Sequence, residues 1–117
     1  MIKPLAFIIE DDPQLSLIFS LTLRESFETE TITNGSQALA RLQEVVPHLV
    51  VLDLHLPGVS GAQILHAIRS DLRFDLTRVI LATADDRQAE GLQDKADIVL
   101  LKPISTVQLR DLAERLK

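Results

Sequence analysis

The chain has 117 residues and a formal net charge of −5, one domain's length with an acidic balance that argues against direct nucleic-acid binding. It has no cysteine, which excludes disulfides and thiolate metal sites, and no tyrosine or tryptophan, which leaves only four phenylalanines for base stacking. No apolar run reaches membrane-spanning length, and the N-terminus lacks the basic and long apolar regions of a signal peptide, so the expectation is a cytoplasmic protein with no membrane partner.

Leu5-Ala6-Phe7-Ile8-Ile9 is the first strand candidate, followed by Glu10-Asp11-Asp12 and Pro13. Asp12 before Pro13 suits the N-cap and first position of a helix running to about Ser26. Leu15, Ile18, Phe19 and Thr22 share one face, and Leu17, Leu21 and Leu23 widen the stripe, which predicts a heavily covered helix. Glu28 to Thr33 reads as a short, threonine-rich edge strand. After the Asn34-Gly35 turn, Ser36 is the expected cap of a second helix, which Pro47 stops. Leu49-Val50-Val51-Leu52 then runs into Asp53, and Pro57-Gly58 ends the segment; a short apolar run bounded by turn residues reads as a strand buried on both faces. Ser60 and Gln63 form a capping-box pattern for a third helix with Ile64, Leu65 and Ile68 inward. Arg78 to Thr83 is a fourth strand. Asp85 and Gln88 could cap a fourth helix, short and weak because Gly91 interrupts it and its apolar stripe is thin. Ile98 to Leu101 is a fifth strand ending at Lys102-Pro103, and Ser105 and Gln108 open a last helix with Leu109, Leu112, Ala113 and Leu116 inward. Strands alternating with helices predict a parallel sheet covered on both faces, with the ligand site beyond the carboxyl ends of the strands.

Polar residues collect at those ends: Glu10 and Asp11 after the first strand, Asp53 after the third, Thr83 after the fourth and Lys102 after the fifth. Apolar periodicity requires none of them there. Three carboxylates brought together repel, and a hard divalent cation such as Mg²⁺ is the natural remedy for an all-oxygen set. A carboxylate can also attack a phosphoryl group, a reaction that needs mainly positioning and charge neutralisation. Lys102 and the Thr83 hydroxyl suit the phosphoryl oxygens. Each residue alone has a plainer explanation, such as a turn cap for Asp53, a helix-dipole contact for Glu10 and Asp11, a β-branched strand residue for Thr83 or a solvated lysine for Lys102. Their arrival in order, each after its own strand, outweighs those readings.

In this pattern the chain resembles the receiver domain of two-component response regulators. The likeness spans essentially all of it, through Glu10-Asp11, Asp53-Leu54-His55-Leu56-Pro57-Gly58 with Gly61, Thr83-Ala84 and Lys102-Pro103. The resemblance implies one receiver domain over 1–117, in a flavodoxin-like, doubly wound α/β fold: five parallel strands in order 2-1-3-4-5 with five helices. It implies Asp53 as phosphoacceptor, assisted by Thr83 and Lys102. Asp11, Asp53 and the His55 backbone carbonyl would bind Mg²⁺ or Mn²⁺, with Glu10 acting through water. The phosphoryl donor would be a sensor histidine kinase or a phosphotransfer protein. The partner of the helix 4–strand 5–helix 5 face would be an output domain or a second copy. Such a chain is a signalling domain rather than an enzyme, assisting only its own phosphorylation and dephosphorylation.

The sequence departs from the family's pattern around that face. Val99 stands where an aromatic ring often moves with the threonine, and Ile104 stands where phenylalanine is frequent. Lys95-Ala96 replaces a small pair, and the Thr83-to-Lys102 interval is about one helical turn short. Two alternatives follow: a degenerate receiver that docks partners without phosphorylation, and an aspartyl-phosphate hydrolase of the haloacid dehalogenase type. The second wants an aspartate where His55 stands.

Overall fold

Each of the apolar runs becomes a strand, and the segments between them become helices or tight turns. The computed structural model describes residues 2–117. In chain order the elements are β1 (Leu5–Ile9), α1 (Pro13–Leu23), β2 (Glu28–Ile32), α2 (Gly35–Glu44), β3 (Leu49–Asp53), α3 (Gly61–Arg69), β4 (Arg78–Thr83), β5 (Ile98–Leu101) and α4 (Thr106–Arg115). Two 3₁₀ turns, Leu72–Phe74 and Asp86–Ala89, flank β4. The five strands form one sheet in the order β2-β1-β3-β4-β5, and every pairing is parallel. This is the expected flavodoxin-like arrangement, with β3 at its centre.

Side chains alternate across the strands and so divide the core in two. Phe7, Ile9, Val50, Leu52, Val79 and Leu81 face α2 and α3, where Ala38, Leu42, Ile64, Leu65 and Ile68 close the layer. Ala6, Ile8, Leu49, Val51 and Ile80 face α1 and α4, against Phe19, Leu23, Leu109 and Ala113. Burial on both faces explains why β1 and β3 are unbroken apolar runs rather than alternating ones.

Among the described residues four helices form where five are expected. The segment after β4 makes only the 3₁₀ turn Asp86–Ala89, because Ala89 alone is buried there and Gly91 takes a positive φ of 82° that ends any helix. A single buried methyl gives a longer helix nothing to pack with, and tertiary packing is what holds short helices. Arg69 on α3 secures the rest of the segment: its Nε donates to the Lys95 carbonyl at 2.7 Å, and its Nη2 meets Asp97 at 3.3 Å. Asp97 also accepts from the Val79 N–H at 2.8 Å and pairs with Arg78 at 3.1 Å.

Smaller expectations also shift. The first helix ends at Leu23 rather than Ser26, and its buried residues are Ser16, Phe19 and Leu23. Leu17, Ile18 and Leu21 are exposed, because the sheet and α4 cover only one side of a cylinder that is apolar almost all round. Asn34, not Ser36, caps α2, its side chain accepting from the Gln37 N–H. The Asp12 cap and the Ser60–Gln63 capping box form as expected.

Candidate functional site

The Glu10 N–H extends the β1–β2 ladder by donating to the Ile32 carbonyl at 3.0 Å, which holds the Glu10 side chain inside the protein at 2% exposure. The chain then turns. Asp11 is exposed, and Asp12 caps α1 by accepting from the N–H groups of Gln14 and Leu15 at 2.9 and 3.3 Å. Asp53 is the last residue of β3, opposite Ala82 of β4, and is 4% exposed. Its backbone is backed by Gly61, where any Cβ would sit 2.3 Å from the Asp53 carbonyl oxygen. On the far side the Lys102 N–H donates to the Thr83 carbonyl at 2.7 Å, carrying β5 one residue further, and the Lys102–Pro103 peptide is cis.

These ends meet in a cleft of about 460 Å³, lined by Glu10, Asp11, Asp12, Asp53, His55 and Lys102 together with Leu15, Ala84 and Gln88. One carboxylate oxygen each from Glu10, Asp11 and Asp53 lies within 4.8 Å of the others. Lys102 Nζ donates to Glu10 Oε1 at 2.8 Å and stands 3.4 Å from Asp53 Oδ2. The His55 N–H donates to Asp53 Oδ1 at 3.0 Å, and the Asp12 N–H donates to Glu10 Oε2 at 3.2 Å. One ammonium among three carboxylates leaves an excess of negative charge. Burial pushes the Glu10 carboxyl up to about 7; the Lys102 hydrogen bond opposes this and the neighbouring Asp53 adds to it. Lys102 moves the other way from a typical buried amine. Burial disfavours its charge, but the Glu10 hydrogen bond and the Asp53 charge hold its pKa above the ordinary value. An all-carboxylate set with excess negative charge is the donor chemistry that suits a hard divalent cation.

Thr83 is fully buried, and its hydroxyl is occupied away from Asp53. Oγ1 lies 2.9 Å from the Asp85 carbonyl and 3.0 Å from the Gln88 side-chain oxygen, and accepts from the Asp85 N–H at 3.2 Å.

The response regulator receiver domain model matches residues 6–114, which is nearly the whole chain. The chain belongs to that family. The phosphate regulon transcriptional regulatory protein PhoB of Rhizobium meliloti is 37% identical over 110 residues, covering 91% of this chain and 48% of its own length. The DNA-binding response regulator MtrA of Mycolicibacterium smegmatis is 35% identical over 103 residues, covering 87% and 45%. The crystal structure of DrrB, an OmpR/PhoB homologue from Thermotoga maritima, matches with a TM-score of 0.84 at 30% identity over 98% of this chain and 52% of that one. The receiver thus spans about half the length of these relatives.

The receiver fold gathers Glu10, Asp11, Asp53, Lys102 and the His55 backbone in one place. Thr83 arrives at the same strand end with its hydroxyl turned into the following turn. Sequence reasoning took Gln88 only as a capping partner for Asp85 and so missed it at the site. The box is half made: Asp85 accepts from the Arg87 N–H, but the Asp85 N–H goes to Thr83, and the Gln88 side chain goes to Thr83 as well. A polar residue five after the strand-end threonine was the available signal.

Proposed function

We propose that this receiver switches partner binding by taking a phosphoryl group from a phosphohistidine onto Asp53. The observation that carries the reading is Lys102, whose ammonium lies 2.8 Å from Glu10 and 3.4 Å from Asp53 at the mouth of a carboxylate cluster. An Asp53 carboxylate oxygen attacks phosphorus, the phosphorus–nitrogen bond breaks, and the imidazole leaves. Lys102 stays with the Asp53 side and neutralises a phosphoryl oxygen, and Thr83 donates its hydroxyl to another. The His55 N–H holds Asp53 Oδ1 in place throughout. A Mg²⁺ or Mn²⁺ ion held by Asp11, Asp53 and the His55 carbonyl, with Glu10 behind, would offset the charge of carboxylates and phosphoryl oxygens together.

The domain assignment proposed is a single receiver over 1–117, cytoplasmic, acting as a signalling domain without turnover of an outside substrate. No helix of the described residues is long and apolar enough to cross a membrane. The donor is a sensor histidine kinase or phosphotransfer protein. An output domain or a second copy is the receiver of the signal, on the face made by the 84–97 segment, β5 and α4. The charge of −5 supports a receiver that makes no nucleic-acid contact of its own. MtrA carries DNA binding in its name, and this chain aligns with under half of it.

Incubation with Mg²⁺ and acetyl phosphate followed by intact mass is the test. A gain of about 80 Da, absent in Asp53→Asn, is expected. No gain under any condition would favour a phosphorylation-independent docking module. Rapid turnover of many phosphomonoesters would favour a hydrolase.

A further inference from the structure

We propose that Gln88 is a positioning residue: its hydrogen bond with the Thr83 hydroxyl latches the Asp86–Ala89 turn, and the latch opens when Thr83 turns to a phosphoryl group on Asp53. The inference rests on the phosphoacceptor reading above and names what transmits that event in a chain without the usual ring. A threonine hydroxyl has one proton. With the Asp85 carbonyl at 2.9 Å and the Gln88 oxygen at 3.0 Å, that proton serves one of them. If it serves Asp85, the Gln88 amide turns over and donates its NH₂ to Oγ1 instead. Gln88 is bonded to Thr83 in both arrangements, and every partner of the hydroxyl belongs to the turn. Donation to a phosphoryl oxygen therefore takes the proton from the turn, and reorienting Oγ1 strips the Gln88 contact.

The surroundings make that loss consequential. Gln88 is exposed and lines the same cleft as Asp53 and Lys102, so it sits between the chemistry and the solvent-facing turn. No residue after Phe74 is aromatic, and Val99 has no ring to move. The far end of the segment is fixed, since Arg69 grips the Lys95 carbonyl at 2.7 Å and Asp97 accepts from the Val79 N–H at 2.8 Å. Ala89 is buried at 1% exposure and marks where the held part begins. Release of Gln88 therefore loosens the start of the segment and leaves its end in place.

The full chain with Mg²⁺ and acetyl phosphate supplies the test, read by intact mass and by amide hydrogen exchange. Gln88→Ala, at an exposed position, should fold as the parent does. It should be phosphorylated roughly two- to tenfold faster, the worth of one net hydrogen bond no longer lost on engagement. Exchange at 86–88 should already be fast in unphosphorylated Gln88→Ala, whereas in the parent it should quicken only after phosphorylation. In a Thr83→Ala background Gln88→Ala should change neither the rate nor the exchange, because the latch has no second half. Equal or slower phosphorylation of Gln88→Ala overturns the latch, as does an effect that persists without Thr83. A parent chain that gains no phosphoryl group at all overturns the phosphoacceptor reading and the latch with it, so the two failures are distinct.

Discussion

β1 and β3 deliver Glu10 and Asp53 from strands enclosed on both sides, whereas Thr83, though it ends the doubly paired β4, and Lys102 arrive beside the single 3₁₀ turn Asp86–Ala89 and the edge strand β5. On the first side the backbone is enclosed: β3 is buried along its whole length, and Gly61 presses against Asp53 from behind. On the second side, between Ala84 and Asp97, the turn buries only Ala89 and is tied down by a few side-chain bonds. The proposed transfer of a phosphoryl group to Asp53 needs charge held in place, and packed strands hold Glu10 and Asp53 there. The segment proposed to pass the signal on is held by bonds that cost little to exchange, as expected of the elements that move in switching. Four substitutions and one titration test whether this division of rigidity is real.

Gly61→Ala should do the most damage. The new methyl would lie 2.3 Å from the Asp53 carbonyl oxygen and 2.6 Å from the Leu54 Cα, both backbone atoms on the central strand's exit. Overpacking of this kind costs about 3 kcal/mol. Urea unfolding should report that loss, and acetyl-phosphate labelling should fall as Asp53 is displaced. A loss under about 1 kcal/mol would mean that the enclosed side yields as easily as the open one.

The titration of Glu10 comes next. Its folded-state pKa of about 7 lies above its ordinary 4.5, so the folded protein holds more protons than the unfolded chain between those values. Stability is therefore greatest below about pH 4.5 as far as this group is concerned, and it falls as pH rises toward 7. The loss should be on the order of 1–3 kcal/mol by pH 8, read from urea midpoints. Asp53→Asn removes one of the charges that raise Glu10, so its pH dependence should be flatter and its stability at pH 8 higher than the parent's. Millimolar Mg²⁺ should raise the parent's melting temperature through preferential binding to the folded carboxylate cluster. A melting temperature indifferent to Mg²⁺ would count against the metal reading.

The fold was legible in the sequence because burial on two faces writes itself as unbroken apolar runs, and Leu49 to Leu52 could hardly be anything else. The acidic site was legible because Glu10, Asp11 and Asp53 follow such runs directly, where packing does not call for charge. What escaped lies where the pattern is thin. Asp85, Gln88 and Gly91 are compatible with a capped helix, and only packing decides that they make a turn; the packing partner is a lone Ala89. Gln88 escaped for a related reason. Its bond to Thr83 spans five residues through a turn whose shape no local propensity sets. Arg69 escaped because two of its partners, Lys95 and Asp97, lie 26 and 28 residues on, a pairing without a short-range signature, and the third is the Phe74 carbonyl, a backbone group no side-chain pattern marks.

Arg69→Ala tests the far tether of the open side. It removes the bonds to the Lys95 and Phe74 carbonyls and one partner of Asp97, while Arg78 and the Val79 N–H still hold that carboxylate. The expected cost is about 1–2 kcal/mol, from a charged hydrogen bond in a half-buried setting. Amide exchange over 93–97 should quicken while the rate of Asp53 phosphorylation stays within about twofold, because the carboxylate side does not depend on this tether. A large fall in phosphorylation would join the two regions more tightly than the division of rigidity allows.

Gly91→Ala should be the mildest, and it isolates backbone strain from packing. At Gly61 the obstacle is the neighbouring backbone; at Gly91 a Cβ meets nothing within 4 Å, and only the φ of 82° opposes it. A left-handed alanine costs about 1 kcal/mol, and an exposed turn can relax part of that by shifting its own dihedrals. The two glycine substitutions thus add the same methyl and differ only in where they add it. A Gly61 loss about three times the Gly91 loss is expected from overpacking set against strain alone. Losses of equal size would place the stiffness of the molecule in its local conformations rather than in the packing of β3 against α3, and the comparison between the two sides of the cleft would fall with it.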